Sequence, residues 1–437
     1  MLLLSGLKKI TLDVALKALY AERPPSPVEV IPVTQQGEGV DSLTQLLHQN
    51  AAIYAVLEVE GRARRFFLLL RAIRTLNRKN YAWQIAGLGG ATENPWLVTP
   101  LKRTFMRYIN TVAFRGSTPP WRFLVKRLVG VLPSSLTWHG PLILVATPTP
   151  QSFDRFVLLT DERQIAFLFK PDAAVPWAVR KSGSFEELDV ERRNHAWAVQ
   201  LLGTRVPALL EADEKGALTM EALPERLLGN MVAQAWVNRR KVFIREACRH
   251  FEFCRKVYRC FVKGETPQKA EVGADEVVGL IDGITQLLQD SSEAAQVTDA
   301  LKAVVGMSLP RMIQHCDFCV RNVLVVGGDR DRVLIDWEDM RGYCWPLIDF
   351  SLLHLSLKEA YAAMFNVPLN ALNDHSEIVE AIAEARADLA ELLDLDGPGM
   401  RQATLLSLAY LCRQNLTKKR HGTARSIFAE LERVAVG

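Results

Sequence analysis

The chain has 437 residues, of which 49% are hydrophobic and 23% are charged, and its formal net charge is +4. This composition is typical of a globular protein of two or three domains and excludes disordered and collagen-like chains. The apolar stretches are much shorter than the roughly 20 residues that cross a bilayer. No cleavage site follows the apolar start of the chain, so we expect a cytoplasmic protein without a secretory signal.

The cysteines are predicted to be reduced thiols. Their number, seven, is odd, and an intracellular chain keeps its cysteines reduced. Cys316 and Cys319 form a CxxC pair, while Cys248 and Cys254 lie near His250. A structural zinc site needs four well-spaced ligands, and a single CxxC pair does not supply them. The sequence therefore favours ordinary reduced cysteines over a metal–thiolate site.

Basic residues are concentrated in segment 61–153, which holds 14 Lys or Arg and one acidic residue. The formal net charge of the whole chain is +4 and that of this segment is +13, so the rest of the chain has a net charge of −9. Aromatic side chains run through the same segment, namely Trp96, Phe105, Tyr108, Phe114, Trp121, Phe123 and Trp138. Docking of this segment onto the acidic remainder of the chain is the favoured interpretation, and peripheral contact with an anionic membrane or glycolipid is the alternative. The pattern favours nucleic-acid binding less.

Residues 1–150 contain mixed helix-like and strand-like stretches, with apolar runs over 53–60, 66–73 and 142–146. The sequence Gly87-Leu-Gly-Gly90 lacks the GxGxxG frame of a dinucleotide site, and we interpret it as a loop. We predict a separate basic α/β module over residues 1–150, of unknown fold.

From residue 151 onwards the pattern changes to that of a small sheet. The polar turn 161–164 lies between two short apolar runs, which predicts a hairpin, and 177–181 predicts a third strand. Helical composition over 186–202 ends at Gly203, before an extended piece over 208–223.

Helical patterns dominate the rest of the chain. We predict a sheet-rich lobe over 151–224 and a helical lobe over 225–437, with a strand-and-turn island over 314–349 inside the second lobe. The predicted fold class is therefore α+β.

The island places polar residues at one end of a predicted hairpin. Two apolar strands flank the polar turn 327–332, with Asp317 and Asn322 just before the first strand and Asp336 at the end of the second. Phosphoryl transfer from a nucleotide needs such a set. A carboxylate orients the attacking hydroxyl and accepts its proton, and oxygen ligands hold the Mg²⁺ that bridges the phosphates.

His315, Asp317 and Asn322 stand in an HxDxxxxN pattern, which is followed by Ile-Asp336-Trp-Glu and by Pro-Leu-Ile-Asp349-Phe. This set resembles the aminoglycoside phosphotransferase and choline kinase family of kinase-like enzymes, over about two thirds of the chain. The resemblance implies a bilobal protein-kinase-like fold, with a small sheet-rich N-lobe and a large helical C-lobe. It implies ATP and Mg²⁺ as the cofactors. It also implies that Asp317 is the catalytic base, that Asn322 and Asp336 are magnesium ligands, that His315 braces the catalytic loop and that Asp349 anchors it.

The amino lobe offers candidates for the nucleotide site. A kinase-like lobe has a lysine on its third strand that is paired to a glutamate on the next helix. Lys181 and Glu191 occupy such places, with Arg180 as the alternative to Lys181, because a register error of one residue exchanges neighbouring strand side chains. Glu221 lies in a run that resembles the family's approach to the hinge, where backbone groups meet the adenine.

Two features depart from the family pattern. Cys316 stands where the family usually has Gly, so we expect a bulkier catalytic loop. The turn 161–164, with the sequence Asp-Glu-Arg-Gln, replaces a glycine-rich phosphate loop.

The predicted function is an ATP- and Mg²⁺-dependent transfer of a phosphoryl group to a hydroxyl of a small molecule, such as a sugar, a glycan precursor or an amino alcohol. One alternative is an inactive pseudokinase scaffold, which the two departures favour. Another is a membrane-surface module in residues 1–150 that the kinase lobe regulates. The acidic segment 374–396 is interpreted as a solvated helix face rather than as a pocket for a cationic substrate.

Overall fold

The computed structural model describes residues 28–31, 54–59, 82–87, 96–100, 108, 142–146, 155–159, 163–171, 173–213, 217–223, 228–235, 237–289, 291–326, 331–418 and 420–436. The chain forms two compact units. The first comprises residues 1–192 and 208–225, and the second comprises residues 193–207 and 226–437.

The first unit contains a ten-stranded sheet with the strand order β1-β2-β5-β3-β4-β6-β7-β8-β10-β9. Neighbouring strands are antiparallel except β1 and β2, which are parallel. The strands are β1 (Val28–Ile31), β2 (Tyr54–Val59), β3 (Ala82–Gly87), β4 (Trp96–Pro100), β5 (Leu142–Ala146), β6 (Arg155–Leu159), β7 (Gln164–Leu168), β8 (Ala178–Ser182), β9 (Leu209–Asp213) and β10 (Ala217–Glu221).

Strands β1 to β5, which come from the first 150 residues, thus share one sheet with β6 to β10. The join is made by β4 and β6, where Val98 lies opposite Val157. The boundary at residue 150, like an independent fold for the amino-terminal module, stays a prediction. The predicted run 66–73 lies outside the described residues, as does most of the basic segment 61–153.

The predicted hairpin is formed by β6 and β7, with Phe156 opposite Phe167. Their rings stack at a centroid distance of 4.6 Å, and Phe169 packs beside them. Tyr108, an aromatic residue of the basic segment, is buried against the same three rings. At this position, the aromatic content of the basic segment contributes to the core of the first unit.

The predicted extended piece 208–223 is two strands rather than one. β9 and β10 pair in antiparallel register, with Ala217 opposite Asp213. A polar stretch, Glu214-Lys-Gly216, lies between them and is outside the described residues. Polar residues with a Gly are typical of a reversal between two strands.

The helices of the chain are α1 (Phe185–Leu202), α2 (Leu228–Gln234), α3 (Arg239–Gly264), α4 (Ala274–Gly283), α5 (Thr285–Gln289), α6 (Ala294–Lys302), α7 (Ile348–Phe365), α8 (Ser376–Leu393), α9 (Gly397–Thr417) and α10 (His421–Val436). Short 3₁₀ segments cover Gly203–Arg205 and Leu369–Asp374. Helix α1 ends at the predicted position because Gly203 adopts φ +59°, a left-handed conformation that glycine allows without steric cost.

Helix α3 is the central element of the second unit. Apolar side chains recur at three- and four-residue spacing along its inner face, and Ala247, Phe251, Cys254 and Tyr258 are buried there. This face packs against α7 and α8 in one continuous apolar core. A second core lies among α4, α6, α9 and α10.

Two of the acidic residues of α8 are held by arginines of α3. Arg255 pairs with Glu384 and Asp388, and Arg259 pairs with Asp388 at 2.6 Å. These carboxylates are therefore already compensated by cations of the neighbouring helix.

Five further strands complete the second unit: β11 (Gln268–Glu271), β12 (Ser308–Gln314), β13 (Val323–Val325), β14 (Arg332–Leu334) and β15 (Arg341–Cys344). β12 pairs with β11 and β15, while β13 and β14 form the predicted hairpin, in which Val323 lies opposite Leu334. None of the helices in the described ranges has both the length and the apolar character that a bilayer crossing needs.

Candidate active site

The island brings its polar residues to one end of the β13–β14 hairpin. Asn322 directly precedes β13, and Ile335 and Asp336 directly follow β14. The Ile335 amide donates to the Asn322 carbonyl at 2.9 Å and so continues the ladder beyond the last strand residues. The loop of residues 315–322 and the end of β14 are consequently adjacent, as the sequence predicts.

Asp317 and Asn322 are joined directly. Asn322 Nδ2 donates to Asp317 Oδ2 and to the Asp317 carbonyl, both at 2.9 Å. Burial and then the negative charge of Asp336 raise the pKa of Asp317, whereas the Asn322 hydrogen bond and the charge of Arg420 lower it. Asp317 is thus an oriented carboxylate with increased proton affinity, as a general base requires.

Asn322 and Asp336 have the chemistry of magnesium ligands. Because Asn322 Nδ2 is directed at Asp317, its Oδ1 faces the other way and remains an acceptor. Asp336 supplies a carboxylate whose charge is felt by Asp317. A carboxylate oxygen and an amide oxygen are hard donors of the kind that Mg²⁺ prefers, so the residues present fit this ion.

His315 braces the loop rather than facing a reactant. Its Nδ1 accepts from the Asp317 amide at 3.2 Å, so its Nε2 carries the proton and donates to the Ile335 carbonyl at 3.0 Å. Its ring lies edge-on to Trp337 at 4.6 Å. The imidazole therefore connects the start of the loop 315–322 to Ile335, the residue after β14. It also holds the backbone amide of Asp317.

Asp349 anchors the same loop from the first turn of α7. Its two carboxylate oxygens accept from the amides of His315 and Cys316, each at 2.7 Å. Gln314 Oε1 in turn accepts from the Asp349 amide and from the Tyr258 hydroxyl, both at 3.0 Å. Burial raises the pKa of Asp349 to about 7, and the two amide donors counteract part of this rise.

Cys316 accommodates its side chain in an unusual backbone conformation. Its φ is +63°, a region that costs a residue with a Cβ roughly 1–2 kcal/mol and glycine almost nothing. The side chain is buried, and its Sγ lies 3.8 Å from Cys344 Sγ, both being free thiols. The side chain of Cys316, which the sequence predicts to make the loop bulkier, thus lies inside the core of the second unit.

The first unit joins Lys181, rather than Arg180, to Glu191. Lys181 Nζ lies 2.5 Å from Glu191 Oε1, and the Glu191 side chain is 1% exposed. The other oxygen of Glu191 accepts from Arg163 Nη1 at 3.3 Å. A buried carboxylate therefore holds two cations.

Arg163 was not singled out by the sequence, although it belongs to the turn that stands in place of a glycine-rich loop. Residues 161 and 162 of that turn lie outside the described residues, and Gln164 begins β7. The signal that could have identified Arg163 is its position directly before β7, which pairs with the strand that carries Lys181.

Glu221 lies at the end of β10. Its Oε2 accepts from the Ala208 amide at 3.0 Å, and its own amide donates to the Ala208 carbonyl at 2.9 Å. The next amide, that of Ala222, donates to the Trp177 carbonyl at 3.1 Å. Glu221 thus takes part in fixing the β9–β10 pair, and its place near an adenine site stays a prediction.

A cavity of about 350 Å³ lies beside Asp317 within the second unit, and we call it the acceptor cavity. Its walls come from the catalytic loop, α7, the end of α9 and the start of α10. Its charged lining residues are Asp317, Arg321, Asp339, Glu359, Lys418 and Arg420. A cavity of this size suits a small molecule. No residue of the acidic segment 374–396 lines it.

Comparison with known proteins agrees with this geometry. Residues 108–392 match the Phosphotransferase enzyme family. Among curated proteins, no sequence match was found.

Several solved structures are similar to the chain at low identity. A choline/ethanolamine kinase family protein from Mesorhizobium loti is 16% identical, over 65% of this chain and 90% of its own, with a TM-score of 0.33. An aminoglycoside phosphotransferase from Streptomyces rimosus is 14% identical, over 57% and 88%, with a TM-score of 0.35. An ethanolamine kinase from Plasmodium vivax is 10% identical, over 65% and 79%, with a TM-score of 0.29.

The family match covers well over half of the chain and includes both the Lys181–Glu191 pair and the catalytic loop. The predicted α+β, kinase-like fold class is confirmed. On this basis, the chain belongs to the phosphotransferase enzyme family.

Proposed function

We propose that this protein transfers the terminal phosphoryl group of ATP to a hydroxyl of a small molecule, with Mg²⁺ as cofactor. The observation that carries the proposal is the Asp317–Asn322 hydrogen bond at 2.9 Å beside the carboxylate of Asp336, all at one end of a hairpin. An oriented base and hard oxygen ligands are the parts that phosphoryl transfer needs from a protein.

Asp317 acts as the base. Its Oδ2 is engaged by Asn322, so Oδ1 is the oxygen that meets the acceptor hydroxyl. In the transfer, the acceptor oxygen gives its proton to Asp317 and forms a bond to the terminal phosphorus. The bond from that phosphorus to the bridging oxygen breaks, and ADP leaves. Mg²⁺, held by Asn322 and Asp336, would neutralise charge on the phosphates.

Lys181 is the proposed phosphate contact. Glu191 fixes the ammonium group, since the two atoms lie 2.5 Å apart. Arg163, which shares Glu191, supplies a second cation at a turn that has no glycine-rich sequence. These two cations would contact the phosphates in place of the backbone amides that a glycine-rich loop offers.

The acceptor class comprises sugars, glycan precursors and amino alcohols, and the acceptor cavity beside Asp317 is the place for it. Two observations favour the rival function, that of a pseudokinase scaffold. Cys316 occupies a left-handed position next to the base, and the glycine-rich sequence is missing. The intact Asp317, Asn322 and Asp336 set favours catalysis.

The deciding experiment is titration calorimetry of the full chain with ATP, with and without Mg²⁺, and then an assay of ADP formation with a panel of acceptors. We expect Mg²⁺-dependent binding by the wild type, its loss in Asp336→Ala, and weaker binding by Lys181→Met. As a matched control, Asp374→Asn removes an exposed carboxylate outside the site and leaves binding intact. If the wild type binds no nucleotide under any of these conditions, the enzyme proposal fails and the scaffold remains.

A further inference from the structure

Besides Asp317, the acceptor cavity is lined by five charged residues. Their ion pairs indicate which charge the acceptor can carry. One of its three carboxylates is paired with a cation of the same lining, since Lys418 Nζ forms an ion pair with Asp339. Glu359 and Arg321 also line the cavity, and the pKa of the Arg321 guanidinium is raised by Cys319 first, then by the negative charges of Asp317 and Glu359.

The third carboxylate belongs to the base. Asp317 is held by Asn322 and has the chemical role described above. Glu359 is the one carboxylate of this lining that has neither an ion pair among the described residues nor a proposed catalytic role. Two carboxylates of α8, Glu384 and Asp388, lie outside the cavity and are paired with arginines of α3.

Arg420 is a further cation of this lining, and its side chain is exposed. Its carbonyl accepts from the Ala424 amide at 3.0 Å at the start of α10. Within the described part of the chain, its guanidinium has neither an ion pair nor a hydrogen bond, and its positive charge acts on Asp317. A guanidinium offers five N–H donors in a planar fork, which matches a carboxylate or a phosphate.

Two further groups lie on the same wall. Thr423, in the first turn of the 16-residue helix α10, lines the cavity, and the partial positive charge of a helix N-terminus adds to that of Arg420. Asn415 is buried and donates Nδ2 to the Leu411 carbonyl at 2.9 Å, which leaves its Oδ1 as an acceptor for a hydroxyl.

We propose that the acceptor carries an anionic group, a carboxylate or a phosphate, which Arg420 binds while a hydroxyl of the same molecule is presented to Asp317. This inference rests on the proposed function for the hydroxyl chemistry, but the binding of an anion by Arg420 does not depend on turnover. It selects uronic acids and sugar phosphates over neutral sugars.

The test uses four acceptors with one carbon skeleton: glucose, glucuronate, glucose 6-phosphate and glucosamine. Each is titrated calorimetrically into the full chain, without nucleotide, and each is then assayed for ADP formation with Mg²⁺ and ATP. The variants are Arg420→Gln, Arg420→Lys and the control Arg425→Gln, which removes an exposed arginine of α10 that does not line the cavity.

We expect the wild type to bind at least one anionic member about tenfold or more tightly than glucose. Arg420→Gln abolishes that preference, Arg420→Lys retains part of it because a point charge replaces the fork, and Arg425→Gln leaves it unchanged. Glucuronate and glucose 6-phosphate distinguish a carboxylate site from a phosphate site.

Equal binding of charged and neutral members, tightest binding of glucosamine, or an anion preference that survives Arg420→Gln each overturns the inference. Failure of the proposed function looks different. In that case Arg420-dependent anion binding is seen by calorimetry while no acceptor supports ADP formation, and the inference about the anion stands without the phosphoryl transfer.

Discussion

Two residues beside the proposed metal and base positions adopt left-handed backbone conformations: Cys316 at φ +63° and Asp336 at φ +70°. Asp is among the residues that tolerate this region, whereas the Cβ of a Cys meets the backbone there at a steric cost. The Cys316 thiol donates to the Gln314 carbonyl, with Sγ and O 3.7 Å apart. The Cys316 amide also donates to Asp349, which holds the strained residue in place. The backbone next to the proposed base, Asp317, is therefore held by the buried carboxylate of Asp349 at the start of α7.

Replacement of Cys316 by Gly and by Ala tests this strain. Both substitutions remove the buried thiol, but only glycine relieves φ +63°. We expect Cys316→Gly to be more stable than Cys316→Ala by about 1 kcal/mol, the reverse of the usual order of the two residues. Urea denaturation of both variants measures the difference. Greater stability of the Ala variant would show that the loop relaxes to a right-handed conformation.

The pH dependence of catalysis reports on Asp317. As the proposed base, Asp317 acts when ionised, and its pKa is raised by burial and by the charges of Asp336 and Asp339. Asp339→Asn removes one of these charges and leaves Lys418 without its anion. The pKa of Asp317 should then fall, so the acidic limb of the kcat/KM profile moves to lower pH. Asp374→Asn serves as the control, and a limb that moves upwards or not at all would contradict the assignment of the base.

Arg163 is expected to contribute to nucleotide binding. It shares the buried Glu191 with Lys181, so Arg163→Ala removes one of two cations but leaves the lysine oriented. We expect KM for ATP to rise about tenfold, with a larger rise in Lys181→Met, since a charge-assisted contact contributes about 1.5 kcal/mol or more. An unchanged KM in Arg163→Ala would mean that this arginine only neutralises Glu191.

At the scale of elements, the hairpin that ends at the proposed metal ligand is fastened to α3 by a buried ion pair. Arg332 in β14 and Glu246 in α3 are both fully buried, and Arg332 Nη2 lies 2.7 Å from Glu246 Oε2. Arg332 Nε has no partner among the described residues. Removal of Glu246 leaves the buried guanidinium of Arg332 with only the exposed carboxylate of Asp331. Breaking such a buried pair costs more than the pair itself contributes.

Glu246→Leu is therefore expected to destabilise the protein by about 3 kcal/mol, whereas the double variant with Arg332→Met recovers most of the loss. Arg249→Ala removes an exposed partner of Glu246 and should cost less than about 1 kcal/mol. Urea denaturation measures all three. If the double variant is as unstable as Glu246→Leu, the strand requires the arginine for another reason, such as its bond to Asp331.

The limits of sequence-based inference also lie at this scale. Asp317, Asn322 and Asp336 could be placed together because a single short hairpin connects them, and local turn signals define a hairpin. Arg420 could not be placed beside Asp317, because its position depends on how α9 and α10 pack, and helical periodicity does not specify packing partners. The Glu246–Arg332 ion pair could not be predicted for the same reason. A sequence pattern alone places charged residues of this kind at the surface.

At the scale of the whole molecule, the ten-stranded sheet joins amino-terminal strands to those that carry Lys181. The outer edge of β6 is covered by β4, through the pairs Val98–Val157, Leu97–Leu158 and Trp96–Leu159. An apolar edge strand without a partner is a site of intermolecular pairing.

A chain that starts at residue 151 would lose β4 and expose this edge. We expect it to self-associate at micromolar concentrations at which the full chain stays monodisperse, as measured by sedimentation velocity. A monomeric, folded truncated chain would show that the join contributes nothing to solubility and would support an independent module over residues 1–150.

The place of β5 in the sheet also sets an order of assembly. Strands β2 and β3 are neighbours of β5 and not of each other, so their facing edges stay unpaired until residues 142–146 have been synthesised. At roughly 5–20 residues per second, that interval lasts on the order of several seconds on the ribosome. Later, β6 extends the sheet on β4, β7 on β6 and β8 on β7. Two edges of the nascent sheet thus stay unpaired until β5 emerges, well before any residue of the catalytic loop exists.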